Sequence, residues 1–435
     1  MIACLARFPS DAAAYNDYGG QSFLLADAPG RSRPMIEAFK VPHRTAASSA
    51  VEKVRSWVLD EAMPLWVRHG INSTHGGPVE VFALDDDPQP LAAPMRTRVT
   101  GRQLYAFSHA HLMGVPDSLA AADQMFDFLR RRIWLGAEKG WCRTLSSAGQ
   151  PLDLQPDLYD FSFCLFGLAW YYEATGSAQA LSLALQTLEI VERDFRHPSG
   201  MGYHNALPGM LPRQQNPHMH LLEAVLKLNA VAPSQQLSSL ASELVALFSD
   251  KFFSCEYDCL PEFFTSDLEP LREATGCFRF EPGHQFEWAW ILAQHQKQSG
   301  ADHSDLIRRL VAGAEQLGVS QTSGLTFNAV ATNGAVLDPG SRTWPNTERI
   351  KGWLGLSEVT GEDPWKKVES ACDTLFKYHL GPGAPRGLWH DTISEQGLAI
   401  TDTVPASTLY HLLLAFSEIL RLYPAQENST RSCEK

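Results

Sequence analysis

Apolar residues recur along this chain at the i, i+3, i+4, i+7 spacing that lays one face of a helix against a core. The pattern predicts helices over 48–68, 97–113, 117–134, 157–175, 177–196, 217–230, 234–250, 284–299, 303–317, 344–358, 362–379 and 404–422. The connections alternate in length. Short ones, such as Gly114-Val115-Pro116, Thr175-Gly176 and Gly300-Ala301-Asp302, are followed by stretches of roughly 20 to 30 residues. The helices therefore come as hairpins joined by long loops. Those loops resemble one another, each placing glycine before an apolar or aromatic residue: His75-Gly76-Gly77, Lys139-Gly140-Trp141, Met201-Gly202-Tyr203, Ser323-Gly324-Leu325 and Arg386-Gly387-Leu388-Trp389. The step is about 62 residues from Gly77 to Gly140 to Gly202, and again from Gly324 to Gly387. A two-helix unit at a fixed step marks a repeat architecture. The expectation is an all-α fold in which six hairpins close into a ring of inner and outer helices, an (α/α)6 barrel, with the long loops gathered around a pocket at one end. An open helical solenoid is the alternative. Residues 1–46, rich in Gly, Pro, Ala and Ser without a sustained period, are expected to be an N-terminal arm, 47–425 a single barrel domain and 426–435 a tail.

Composition narrows the function. With 44% hydrophobic and 20% charged residues in 435, the chain is neither disordered nor fibrous. Its 36 Lys and Arg against 49 Asp and Glu give a net charge of −13, and no basic run exceeds Arg130-Arg131-Arg132, which argues against nucleic-acid partners. Eight cysteines without a CxxC pair suit reduced thiols and a cytoplasmic setting. The first residues lack the charged and long apolar regions of a signal peptide, and no segment approaches the roughly 18 apolar residues of a membrane span. No dinucleotide fingerprint or P-loop is present, so no nucleotide cofactor is expected.

Chemistry-bearing residues gather where long loops enter helices. Pro282-Gly283 opens a helix that places His284 and Glu287 one turn apart on one face. A histidine beside a carboxylate can carry protons; alternatively Glu287 serves the helix start. In Asn216-Pro217-His218-Met219-His220-Leu221-Leu222-Glu223, Asn216 suits an N-cap and His220 lies one turn inside. His218, His220 and Glu223 have the character of metal ligands, but the tighter His-Glu-x-x-His signature is missing and no metal is expected. Trp344 and Glu348 follow Arg342, and Trp389 precedes His390-Asp391. Tryptophan beside ionisable groups suits a sugar, whose C–H faces stack on aromatic rings while its hydroxyls need directional partners. Arg98, Arg102 and Tyr159-Asp160 occupy comparable helix starts, with surface salt bridging as the other explanation.

The set RVTGRQLYAF, DLYDFSF, NPHMHLLEA, PGHQFEWAW, RTWPNTERIKGW and GLWHD, in this order over roughly 48–422, resembles the N-acylglucosamine 2-epimerase superfamily of cofactor-independent sugar isomerases and epimerases. PGHQFEWAW and RTWPNTE look more like its mannose isomerase and sulfoquinovose isomerase branch. Two departures stand out: Arg98 replaces a tryptophan four residues before the pocket arginine, and Thr100-Gly101 replaces Gln-Ala. Arg98 would favour a more polar or anionic sugar. The resemblance implies an (α/α)6 barrel that interconverts an aldose and its 2-ketose, D-mannose and D-fructose as the best match, through a cis-enediolate and without a cofactor. Because the C2–H bond is a weak acid, such chemistry needs a base working near pH 7 and donors for the developing oxyanion. By resemblance His284 is the base and His390 the acid that helps open the ring, a division that could be reversed. Glu287 would orient His284, Glu348 would hold the sugar or tune a partner histidine, Arg102 and His220 would bind the C1–O2 region, and Tyr159, Asn216, Trp344 and Trp389 would shape the pocket. A 2-epimerase with bases on both faces of C2 is the alternative within the family. Outside it stand an (α/α)6 glycoside hydrolase using Glu287 and Glu348, and a non-catalytic binding toroid. The expected partner is a monosaccharide, with no nucleic acid or membrane, and homodimerisation is left open.

Overall fold

A computed structural model describes residues 49–85 and 87–423, so the arm over 1–46 and the tail over 426–435 lie outside the described residues. The helices are α1 (Ser49–Ser56), α2 (Met63–His69), α3 (Thr97–Leu112), α4 (Ser118–Phe128), α5 (Leu158–Thr175), α6 (Ala178–Ile190), α7 (Asn216–Val231), α8 (Gln235–Leu247), α9 (Pro282–Ser299), α10 (Ser304–Gly318), α11 (Thr343–Thr360), α12 (Trp365–Tyr378) and α13 (Leu409–Leu422). All twelve expected helical stretches are present. The first is divided into α1 and α2 by a π turn, Trp57–Ala62, and the outer helices α4, α6 and α8 run into π turns at Leu129–Ile133, Val191–Phe195 and Phe248–Phe252.

Closure of the ring decides between barrel and solenoid. Helix α3 packs on α5, α5 on α7, α7 on α9, α9 on α11, α11 on α13, and α13 returns to α3. These six parallel helices are the inner wall. The outer helices are amphipathic: α10 buries Ile307, Leu310, Val311 and Ala314 along one stripe, as a helix covering a core should. The inner helices are buried on nearly every face. Consequently α11 carries Asn346, Glu348 and Lys351 inside the protein, where polar groups must find one another.

The long loops form a collar of very short antiparallel pairs. Met95–Arg96 pairs with Thr144–Leu145, Arg213–Gln214 with Phe263–Phe264, Arg279–Phe280 with Ala329–Ala331, Ser341–Arg342 with Thr392–Ile393, and Val81–Ala83 with Thr403–Pro405. An isolated bridge from Asp157 to Ala206 links two further loops. Each loop is thereby pinned to the next around the rim. Strands of two or three residues are too short to show alternation, so the apolar pattern gives no sign of them. The repeated glycine has a defined place in this collar. Gly140 (φ 70) precedes Trp141, which bridges to Trp134, and Gly202 (φ 63) precedes Tyr203, which bridges to Arg196. In the repeat that lacks the glycine, Asp258 (φ 49) takes the same conformation before Cys259 and its bridge to Ser254. No helix among the described residues is long and apolar enough to cross a membrane.

Candidate active site

The N-termini of the inner helices converge under the collar on a cavity of about 450 Å³, a size that suits a small ligand. Arg102, Tyr159, Asn216, His220, His284, Glu287 and Trp344 all line it. Also lining it are Arg96, Arg98, Glu281, Arg342, Asp391, Ser407, Thr408 and His411. His411 is the residue that sequence reasoning missed. It lies in the apolar stretch Leu409–Leu422, which reads simply as a core helix. The signal available was positional, since the first turns of α7 and α9 each bring a histidine to the same end.

Three imidazoles share one arrangement. His220 Nδ1 lies 3.0 Å from Glu223 Oε2, His284 Nδ1 3.0 Å from Glu262 Oε2, and His411 Nδ1 2.8 Å from Glu348 Oε1. A carboxylate on one ring nitrogen fixes the orientation and leaves the other nitrogen for chemistry. Trp344 stands between two of the rings, with centroids 4.9 Å from His284 and 5.5 Å from His411. A Cβ on Gly283 would come within 2.5 Å of the Trp344 ring, so the glycine before His284 is what lets the indole lie against α9.

Several expected roles are relocated. Glu287 does not orient His284, because Glu262, 22 positions upstream, occupies Nδ1, with Glu281 Oε2 3.8 Å away. Both Glu287 oxygens lack hydrogen bonds among the described residues, with His220 Nε2 and Lys351 Nζ each at 4.0 Å. Asn216 does not cap α7: it is the helix's first residue, and its buried Oδ1 has no hydrogen-bond partner among the described residues. Glu348 is fully buried beneath His411, so of its two expected roles the geometry places it on a partner histidine. It does not line the cavity, so the pair Glu287 and Glu348 does not face a ligand there together. His390 and Trp389 do not line the cavity either. Asp391 lines it, whereas His390 Nε2 lies against the Gly383 turn, 3.5 Å from where a Cβ on that glycine would stand. The His390 carbonyl accepts from Thr343 Oγ1 at 3.1 Å, while Trp389 is buried and stacked on Trp66 at 5.5 Å. His218 is buried with Nε2 accepting from the Tyr203 N–H at 2.9 Å, a structural role.

The electrostatics differ sharply between the rings. Burial alone would lower His284, but pairing with Glu262, reinforced by Glu281 and Glu287, overrides it and lifts the group to about 9. His411 goes the opposite way, well below its ordinary value, through burial and the positive charges of Arg102 and Lys351. Among the cavity's arginines, Arg96 is paired with Glu80, Arg342 with Glu281 at 3.3 Å, and Arg98 with Asp160 at 2.8 Å. The Arg98 guanidinium is thus committed to a buried carboxylate and is not a free anion receptor. Arg102 alone has no carboxylate within ion-pair distance among the described residues. It donates to Tyr159 Oη at 2.7 Å and to the Ser407 carbonyl at 3.1 Å.

Three groups have the composition of a cation site: His220 with Glu223 and Glu287, His284 with Glu262 and Glu281, and His411 with Glu287 and Glu348. Each already has a positive partner. Lys351 Nζ sits 2.7 Å from Glu348 and 4.0 Å from Glu287, and Arg342 holds Glu281.

Fold and pocket define an (α/α)6 barrel whose cavity is lined by histidines held by carboxylates, beside an arginine without a carboxylate partner among the described residues. The family model for N-acylglucosamine 2-epimerase (GlcNAc 2-epimerase) matches residues 80–415, and the chain belongs to that family of sugar isomerases and 2-epimerases. It is 30% identical over 375 residues to the mannose-6-phosphate isomerase of Rhizobium meliloti (strain 1021), covering 84% of this chain and 96% of that protein. Among solved structures it matches a D-mannose isomerase with a TM-score of 0.77 at 18% identity, covering 87% of this chain and all (100%) of the other. The cellobiose 2-epimerase from Bacillus thermoamylovorans B4167 gives a TM-score of 0.77 at 22% identity, covering 86% and 100%.

Proposed function

We propose that this protein is a cofactor-independent aldose–ketose isomerase, with D-mannose and D-fructose as its substrate pair. The observation that carries the reading is the unequal surroundings of His284 and His411. His284 faces two carboxylates, Glu262 and Glu281, and is an imidazolium at neutral pH. His411 has one carboxylate within ion-pair distance, Glu348, which it shares with Lys351, and is neutral. One base and one acid then work on the sugar. His411 Nε2 removes the C2 proton while His284 protonates the C1 carbonyl oxygen, giving the cis-enediol. His284 next takes the O2 proton, and His411 returns its proton to C1. The sum is the ketose, with both histidines restored. The Arg102 guanidinium stabilises the developing oxyanion, and Glu287 and Asn216 Oδ1, without hydrogen bonds among the described residues, accept hydroxyl hydrogens. A 2-epimerase needs a neutral base on each face of C2, which the charge on His284 disfavours.

The relative named mannose-6-phosphate isomerase supports a second substrate, the 6-phosphate. Arg96 and Arg342, each about two-fifths exposed at the cavity mouth, are the groups that would meet its phosphate. Proton NMR of the protein with D-mannose in D2O tests the main reading: fructose carrying deuterium at C1 is the expected product. Glucose deuterated at C2, without fructose, would make the protein a 2-epimerase. A kcat/KM for mannose 6-phosphate at least tenfold above that for mannose would select the phosphorylated substrate.

A further inference from the structure

Beneath the sugar cavity lies a lysine that the proposed chemistry does not use. Lys351, in the middle of α11, is fully buried, with Nζ 4.5 Å above the Trp290 ring. Three carboxylates approach it from three helices: Glu348 of α11 at 2.7 Å, Glu287 of α9 at 4.0 Å, and Glu223 of α7. From α13, Tyr410 donates to Glu223 at 2.6 Å and His411 meets Glu348, while Arg102 of α3 and His220 of α7 complete the charged surroundings. On the outward side of α11, Arg349 pairs with Glu315 of α10 at 2.6 Å and Lys367 of α12 joins the same carboxylate at 3.0 Å, so neither bears on the buried set.

The Glu348–His411 pair can hold one exchangeable proton or two. If Glu348 is a carboxylate, His411 Nδ1 carries the hydrogen and donates to it, and Nε2 presents a lone pair to the cavity. If Glu348 is a carboxylic acid, its O–H donates to Nδ1, and Nε2 carries hydrogen. The second form holds one proton more than the first, taken up when the pair lacks a compensating positive charge, and only the first can accept a proton from carbon. We propose that Lys351 is a positioning residue that selects the His411 tautomer: its ammonium keeps Glu348 ionised and so keeps Nε2 free as the base. The inference rests on the reading of His411 as base. Burial and neighbouring Glu287 push Glu348 well upward, and Lys351 is the opposing influence. Without that charge a buried carboxyl beside two others would hold its proton.

The test is Lys351→Met in the full chain, with Lys351→Arg beside it. Nitrogen-15 NMR of histidine-labelled protein, assigned with His411→Gln, reads the tautomer directly. In Lys351→Met the His411 Nε2 resonance is expected to change from unprotonated to protonated. With it, kcat should fall about a hundredfold, the scale of a lost general base, with KM within about threefold and the rising limb of kcat against pH moved to higher pH. Lys351→Arg should restore the tautomer and most of kcat. An Nε2 that stays unprotonated in Lys351→Met overturns the proposal whatever happens to turnover. Should Lys351→Met fail to fold, because a buried carboxylate is left uncompensated, Glu348→Gln and the Glu348→Gln/Lys351→Met double variant take its place. The lysine change should then leave the tautomer of the Gln background unmoved, and a shift would overturn the proposal. A wild-type protein that shows this tautomer control but does not isomerise mannose would instead refute the functional reading.

Discussion

The barrel has a cavity at each end, and the larger is not the one we propose as the sugar site. The N-terminal ends of the inner helices surround about 450 Å³, while their C-terminal ends surround about 560 Å³ lined by His109, Phe166, Trp170, Lys227, Trp290, Gln294, Glu418 and Arg421 among others. At that lower end the charges neutralise one another: Lys227 is paired with Glu173, and Arg421 with Glu418 at 2.6 Å. His109 is stacked on Trp170 at 4.3 Å, bonded through Nδ1 to Tyr105 Oη at 3.0 Å, and pushed down to about 3 by burial and the charge of Lys227. At the upper end Glu287 and Asn216 Oδ1 have no hydrogen bond among the described residues, three imidazoles are held only through Nδ1, and Arg102 has no carboxylate partner. The lower end has unmatched polar atoms too, Trp170 Nε1 and Gln294 Nε2, but they are neutral donors, so what distinguishes the upper end is a charged group, Glu287, left without a hydrogen bond. The helix direction adds to the contrast, because six helix N-termini favour an anion such as the enediolate and six C-termini favour cations such as Lys227 and Arg421.

The largest expected effect tests that contrast within the upper end itself. His411→Ala and His284→Ala should each lose at least about a hundredfold in kcat/KM with unchanged circular dichroism. His390→Gln, by contrast, should stay within about twofold, because the ring is turned away from the cavity. Wild-type turnover in His411→Ala would remove its assignment as base, and a hundredfold loss in His390→Gln would mean that the GLWHD loop rearranges when sugar binds.

How far the sequence reaches follows the same division. The barrel is legible because its helices are long and its loops repeat, and seven pocket residues are legible because each stands at a loop–helix junction with a polar or aromatic neighbour. What is not legible is partnership. Glu262 and His284 are joined across a 22-residue loop, and Glu348 reaches His411 from 63 positions away, distances over which side-chain spacing carries no information. GLWHD looked like pocket because tryptophan and histidine stand together there. In the fold Trp389 packs as core against Trp57 of the π turn and Trp66 of α2, and that leaves only Asp391 for the cavity.

A smaller effect sharpens the asymmetry between the two working histidines. The His284 charge is held by Glu262, so the acid function should persist below pH 9 and fade as pH rises through about 9. Glu262→Gln removes the main influence raising His284 and leaves burial, which lowers it. The alkaline limb of kcat should then move from about 9 to near or below neutrality, with about a tenfold loss at pH 8. Stability follows the same sign. The folded group is raised, so its contribution is complete below the free histidine value of about 6.5 and is lost as pH rises through about 9. Melting temperatures of wild type should decline across that window, and those of Glu262→Gln should decline less. An alkaline limb that stays near 9 in Glu262→Gln would assign it to another group.

The smallest effect belongs to the lower cavity, where Lys227→Met removes the ammonium 3.3 Å above the Trp170 ring and its pairing with Glu173. Glu173 is 39% exposed, so water can take over its solvation, and the expected loss is about 1 kcal/mol of stability. Turnover should stay within about twofold of wild type, as measured by mannose isomerisation at saturating sugar. The informative failure is a drop of tenfold or more without unfolding. Glu223 would then be the route, because it lines the lower cavity and also holds His220 and Tyr410 beneath the upper one, at 3.0 and 2.6 Å. A charge change at Lys227 that reached the sugar through Glu223 would show that the two ends share one electrostatic network. Unchanged turnover would show that the Glu223–Tyr410 layer insulates one from the other.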